Sequence, residues 1–182
     1  MNLFRKSPVV DYKSVERIIK KKQYTKLLMA NLLASGKIKK LTKGHYTIHD
    51  NPQLAVFCFR HSYFGLQDAL SFHNLWEQET IPVIITAQKV RAGIRQILGA
   101  NVLVRRMDKK YLFGFDYSKQ GDYFFPYSDI EKTFIDMVYF NERLDKEALS
   151  NILQKIDKKK LISYLKHYPE RLQTRVLNYA KF

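Results

Sequence analysis

Cysteine, glycine and acidic side chains are scarce in this chain of 182 residues, and each scarcity removes a class of function. The single cysteine, Cys58, excludes an internal disulfide and suits a reducing compartment. It stands in an apolar run, as a core thiol does. Cys58 lies near His61, and His45 near His49, but a zinc site needs more ligands at close spacing, so no metal is expected. The seven glycines are scattered. None forms the phosphate cradle of a dinucleotide fold or a P-loop, and there is no Gly-x-Ser-x-Gly elbow, so no cofactor is expected. No apolar run reaches the ~18–20 residues of a membrane-spanning helix. The opening residues, Met1 to Lys6, lack the apolar stretch of a signal peptide. The expectation is a cytoplasmic protein with no membrane partner.

What is abundant is positive charge and bulky core material. Hydrophobic residues make up 46% of the chain and charged residues 27%, a globular composition, with twelve Phe and twelve Tyr to fill a core. Lys and Arg number 32 against 17 Asp and Glu, a net charge of +15. The excess is unevenly placed. Residues 1–47 hold twelve Lys/Arg against only Asp11 and Glu16, whereas the remaining 135 hold twenty basic and fifteen acidic side chains. A polyanion neutralised by the first segment would release counterions and bind with strong salt dependence. The competing reading is an ordinary solvated lysine surface.

Asp11 is placed to cap a helix in which Val15, Ile18 and Ile19 recur at helical spacing. A second helix is predicted over Lys22 to Ser35, with Gly36 at the position just past its end. Tyr24, Leu27, Leu28 and Leu32 define its expected inward side; Lys22, Gln23, Lys26 and Ala30 define the other, with Met29 and Leu33 near the polar side. Lys37 to Leu41, Thr42-Lys43-Gly44 and His45 to Ile48 read as strand, turn and strand. Two short helices followed by a basic hairpin is the order of a winged helix, whose second helix enters the major groove. An ordinary winged helix has one more helix in front. Pro8 interrupts the ten residues before Asp11, so that helix is expected to be a single turn or absent.

This reading supplies candidate contacts with double-stranded DNA. Lys21, Lys22, Gln23, Thr25 and Lys26 stand at the start of the second helix, where the helix N-terminus itself favours phosphate. Gln23 can pair bidentately with an adenine edge, while lysines mainly hold phosphates. Lys39, Lys40, Lys43 and His45 on the hairpin are candidates for backbone or minor-groove contact.

After Asn51-Pro52 the chain reads as a second unit. Helices are predicted over Leu54 to Phe59 and Leu66 to Leu75. Strands are predicted over Pro82 to Thr86, Asn101 to Met107, Tyr111 to Tyr117 and Asp122 to Tyr127, with a turn at Gly121-Asp122; Lys89 to Leu98 is ambiguous. From Ser128 the pattern is helical. Ser128 and Glu131 resemble a capping box, Asp145 and Asp157 can cap later helices, and Pro169 suits the first turn of a final helix through Leu172, Val176 and Tyr179. The fold class is α+β. A winged helix-turn-helix over residues 1–48 precedes a mixed α/β domain over 52–182 that ends in a helical tail.

No catalytic set is legible, and the chain is expected not to be an enzyme. A metal-dependent nuclease would need paired carboxylates. Asp108, Asp116, Asp122 and Asp129 cross the strand-rich segment, but no Glu-x-Lys strand follows, and turn and cap roles explain Asp122 and Asp129. A transcription factor with a ligand-sensing C-terminal domain remains open, as does that nuclease.

Several stretches resemble the AbiEi-type antitoxin family. They are Gly36-Lys37-Ile38 and Lys43 to Thr47 in the hairpin, Ser62-Tyr63-Phe64-Gly65-Leu66-Gln67-Asp68-Ala69-Leu70 with His73-Asn74-Leu75, a strand like Ile81 to Thr86, and a helix opening like Ile130-Glu131-Lys132-Thr133-Phe134-Ile135-Asp136. Order and spacing hold from about residue 20 to 140. The resemblance implies an antitoxin and transcriptional autorepressor of an abortive-infection operon. Its N-terminal winged helix would bind operator DNA, and its C-terminal domain would counter a nucleotidyltransferase-like toxin. Arg91, Arg95, Arg105 and Arg106 then either meet acidic groups of that toxin or are solvated. The abbreviated first helix departs from the usual pattern.

Overall fold

The computed structural model describes residues 2–180, so Met1 and residues 181–182, at the ends of the two expected segments, lie outside it. The architecture is mixed α+β. The chain opens with helix α1 (Asn2–Lys6), strand β1 (Val10–Asp11), helices α2 (Tyr12–Ile19) and α3 (Lys22–Ala34), and strands β2 (Lys39–Thr42) and β3 (His45–Thr47). The helix before Asp11 is thus present, as five residues ending ahead of Pro8. β1, β3 and β2 form a three-stranded antiparallel sheet in that order. The pairing of Val10 and Asp11 with Tyr46 and His45 had no signature in the sequence, because two residues are too few to show a period.

Local chemistry sets the boundaries of these elements. The Asp11 carboxylate accepts from the Ser14 backbone N–H at 2.9 Å and from its hydroxyl at 2.7 Å, capping α2. Lys20 takes a left-handed conformation (φ 59°) and ends α2. Gly36 (φ 67°) does the same after α3, and its N–H and that of Lys37 return to the carbonyls of Leu33 and Leu32, each at 3.0 Å. Phe4, Val10, Val15, Met29 and Ile38 make the small core of this region.

The larger region is built on a six-stranded mixed sheet. Its strands are β4 (Ser62–Phe64), β5 (Val83–Thr86), β6 (Gly93–Ile97), β7 (Ala100–Arg106), β8 (Phe115–Gln120) and β9 (Tyr123–Ser128). Their order across the sheet is β6-β7-β5-β4-β9-β8, with β5/β7 and β4/β9 parallel and the other pairs antiparallel. β4 and β5 are central and covered on both faces, which is why they read as nearly continuous apolar runs. Tyr63, Val83 and Ile85 face one core, while Phe64, Ile84, Val102, Val104 and Phe125 face the other. Helices α4 (Leu66–Phe72), α5 (Ile130–Tyr139), α6 (Lys146–Lys155), α7 (Lys158–Leu165) and α8 (Glu170–Ala180) supply the first core. A 3₁₀ segment, Pro52–Cys58, closes the second.

Several sequence expectations are corrected. Pro52–Cys58 is a 3₁₀ turn with Pro52 at its start, not an α-helix; Asn51 caps it by accepting from the Gln53 N–H at 2.9 Å. The expected strand over Tyr111 to Tyr117 begins only at Phe115, after a 3₁₀ turn at Lys109–Tyr111 and Gly114 with φ 68°. The ambiguous Lys89 to Leu98 contains an edge strand, Gly93–Ile97. The cap of α5 is Asp129, whose carboxylate accepts from the Lys132 N–H at 2.8 Å. Ser128 instead bonds the Thr133 hydroxyl at 2.7 Å. Glu131 turns to the Asp157 N–H at 2.8 Å and to Lys160 at 3.0 Å, so no capping box forms. Along α8, Leu172, Val176 and Ala180 face inward and Tyr179 faces solvent.

The two regions touch through the hairpin. Leu41 of β2 is buried in the core formed by Leu54, Val56, Cys58 and the sheet, rather than in the small core of its own helices. The Tyr123 hydroxyl lies 2.9 Å from the His49 ring. The expected boundary at Asn51-Pro52 is therefore a change of composition across which packing continues.

Candidate nucleic-acid interface

The candidate contacts begin where α2 ends. Once Lys20 has turned the chain, Lys21 is extended and no side chain caps α3. The first turn of α3 also carries no acid. Its leading backbone N–H groups are thus open to an anion, with Lys21 and Lys22 beside them. In the hairpin, a register shift between Lys40 and Thr42 marks a bulge, and Gly44 (φ 82°) makes the turn. The Gly44 carbonyl accepts from the Tyr12 N–H at 2.8 Å, which fixes the hairpin turn against the start of α2.

The nine residues singled out in the sequence separate into two groups. Lys21, Lys22, Gln23, Lys26, Lys40 and Lys43 are exposed. The other three are engaged within the fold. Thr25 is fully buried and its hydroxyl donates to the Lys21 carbonyl at 3.0 Å, so it packs the helix and has no surface to offer DNA. Lys39 is half-buried and ion-paired with Asp50, which offsets its charge. His45 is half-buried, 3.1 Å from the Thr42 hydroxyl, and paired in register with Asp11. Partial burial opposes ionisation of Asp11, but the Ser14 hydrogen bonds and the neighbouring His45 outweigh it and hold the carboxyl below its ordinary range.

The orientation of α3 differs from the expected one. Thr25 and Met29 are its buried residues, while Tyr24 is 56% and Leu27 60% exposed. Apolar side chains lie nearly all round this helix, so a count of hydrophobic positions does not select a face. The stronger signal was the pair Lys22 and Lys26. The exposed face also carries Ala30 and Asn31, which were not singled out as contacts.

Elsewhere the polar groups serve the fold. Lys132 and Asp136, one turn apart on α5, form an ion pair with no solvent exposure. The Tyr63 hydroxyl donates to Asp136 at 2.7 Å, and the Lys132 ammonium lies 5.3 Å from the centre of the Tyr63 ring. Burial pushes the lysine down and the carboxyl up, each against the pull of the other. Asp68 accepts from the Val83 N–H at 3.1 Å, and burial pushes its carboxyl up to about 7. Burial pushes the Cys58 thiol up to about 11, an inert core thiol. Asp116 and Asp122 are exposed on the β8–β9 hairpin, and Asp129 is occupied as a cap. Among the described residues, no three His, Cys, Asp or Glu side chains come together as a metal site would require. Arg105 is paired with Glu142 at 2.5 Å and the Arg95 guanidinium lies over Phe59, while Arg91 and Arg106 are exposed. Among the described residues no helix is long and apolar enough to cross a membrane.

No protein-family model matches the chain, and no curated protein matches it in sequence. The fold has a counterpart among solved structures. The crystal structure of the Rv2827c protein from Mycobacterium tuberculosis superposes with a TM-score of 0.64 at 12% identity, over 99% of this chain and 74% of that one, so the two share an α+β fold.

Proposed function

We propose that residues 1–48 form a winged helix-turn-helix that binds double-stranded operator DNA, and that the chain is an antitoxin and autorepressor of the AbiEi type. The observation that carries the DNA reading is the exposed set Lys21, Lys22, Gln23, Lys26, Lys40 and Lys43 on a unit of helices and basic hairpin, beside an uncapped helix N-terminus. The order helix, strand, helix, helix, strand, strand supports a recognition role for α3. The concentration of charge supports a polyanionic partner. The antitoxin role rests on the sequence resemblance. In this reading the larger region counters a nucleotidyltransferase-like toxin by binding, without catalysis.

Co-expression of the chain with its neighbouring gene, under the native promoter fused to a reporter, tests both halves. The full chain restores growth and represses the reporter. Reversing the charge of Lys22 and Lys26 relieves repression while growth is still restored. A chain that represses without restoring growth is a transcription factor only. A chain that does neither is outside this reading.

A further inference from the structure

α3 exposes two bulky apolar side chains, Tyr24 and Leu27, where a helix of a small basic domain ordinarily presents charge. Successive residues of an α-helix advance 100° and 1.5 Å. Gln23, Leu27 and Asn31 therefore form one stripe, with steps of about 6 Å along the axis and about 40° around it. All three are exposed. Ala30 and Ala34, also exposed, border the stripe and leave room for another surface to approach the backbone closely. Lys22 and Lys26 stand on one flank and Tyr24 on the other. The helix KQYTKLLMANLLA contains no acid and no arginine.

That pattern matches one kind of base edge. Carboxamides pair bidentately with the N6 and N7 of adenine, and apolar groups meet the thymine methyl. Guanine is read by arginine or lysine and cytosine by acids; α3 has no arginine and no acid, and its two lysines, Lys22 and Lys26, stand on the flank of the stripe rather than on it. The spacing also fits, since about 6 Å is close to two base-pair steps of about 3.4 Å each. Given the DNA-binding reading above, on which this step rests, we propose that α3 reads an A·T core in the major groove. Gln23 and Asn31 each pair with an adenine, and Leu27, midway between them, covers a thymine methyl. Lys22 and Lys26 hold the flanking phosphates. The exposure of Leu27 is thereby explained as a reading surface.

The test uses the full chain and duplex DNA. Sequences retained from a random duplex pool should share an A·T core about five base pairs long. Each thymine of that core is then replaced singly by deoxyuridine, which deletes the 5-methyl and keeps the pairing. At one position the wild type should lose roughly fourfold in affinity, the worth of one buried methyl. Leu27→Ala should bind more weakly and be indifferent to that replacement. Gln23→Ala and Asn31→Ala should each relax discrimination at one adenine by a factor of roughly 5 to 150. All three positions are exposed, so the variants should melt at the wild-type temperature. A G·C core, or a deoxyuridine penalty equal in wild type and Leu27→Ala, overturns the assignment and leaves DNA binding standing. Failure to retain any duplex overturns the DNA-binding reading as well.

Discussion

The two regions of this protein handle charge in opposite ways. The N-terminal region keeps its lysines on the surface, mostly without acidic partners, around a core of five buried residues: Phe4, Val10, Val15, Met29 and Ile38. The larger region, nearly charge-balanced by composition, takes charge inside, with Lys132, Asp136 and Asp68 all buried. Unpaired surface charge on a small core carries self-repulsion that salt screens and an external polyanion relieves. Buried charge held by specific partners is costly to desolvate and serves the fold only while every partner is present. The comparison therefore teaches where each region's sensitivity lies. The first should respond to salt and ligand, the second to pH and to loss of a single buried partner.

The sharpest way to break this contrast is at the buried pair. Lys132→Met leaves Asp136 in the core with Tyr63 as its remaining hydrogen-bond donor, and should cost about 3–5 kcal/mol in chemical denaturation. DNA affinity per folded molecule should not change. A loss below ~1 kcal/mol would mean that water reaches the pair.

Leu41 tests whether the regions are separate at all. Its side chain belongs to the core of the larger region, so Leu41→Ala should cost about 2–5 kcal/mol. Amide exchange should quicken in both the hairpin and Pro52–Cys58. Quickening confined to the hairpin would restore an independent boundary at Asn51-Pro52. The same packing implies that a fragment starting at residue 52 would expose Leu54 and Cys58.

Asp68 sharpens the contrast through pH. Its folded carboxyl titrates near 7, above the ordinary 3.8, so between those values the folded state binds the extra proton. Stability from this group is full below about pH 4 and is lost as pH rises through 7, by at most about 4 kcal/mol. Asp68→Asn keeps an acceptor for the Val83 N–H and removes the titration. It should flatten that part of the pH–stability profile and be more stable than wild type at pH 8. An unchanged slope between pH 4 and 7 would show that Asp68 is solvated.

Much of this fold was legible because local chemistry fixed it. Asp11, Asp145 and Asp157 cap helices as their positions suggested, Gly36 ends α3, and the central strand Val83–Thr86 reads directly from its β-branched run. What was not legible depended on tertiary packing. A Cβ at Gly65 would stand 2.5 Å from the end of the Ile85 side chain, which would have to shift, a contact between elements twenty residues apart in sequence. Asp129 rather than Ser128 caps α5 because Ser128 is still paired in β9 with Phe115, and its hydroxyl bonds that of Thr133. Of the residues in the stretches that resemble the antitoxin family, Tyr63, Lys132 and Asp136 meet in one buried polar cluster, although they lie about seventy residues apart in sequence. In the candidate interface, Gln23 and every candidate lysine except Lys39 were legible as exposed groups. Thr25, expected at the surface, is buried, and Leu27, expected inward, is exposed, because α3 is apolar nearly all round and only its packing on α2 and the hairpin chooses the inward side.

The central claim, that the charge of the N-terminal region exists to meet DNA, is tested most directly by the salt dependence of duplex binding. If the full chain neutralises ~3–5 phosphates, log K should fall against log salt with a slope of roughly −3 to −4.5. Replacing Lys22 and Lys26 together by alanine should reduce that slope by about two, while replacing Lys158 and Lys159 should leave it unchanged. A slope near zero, or equal changes from the two pairs, would contradict the account.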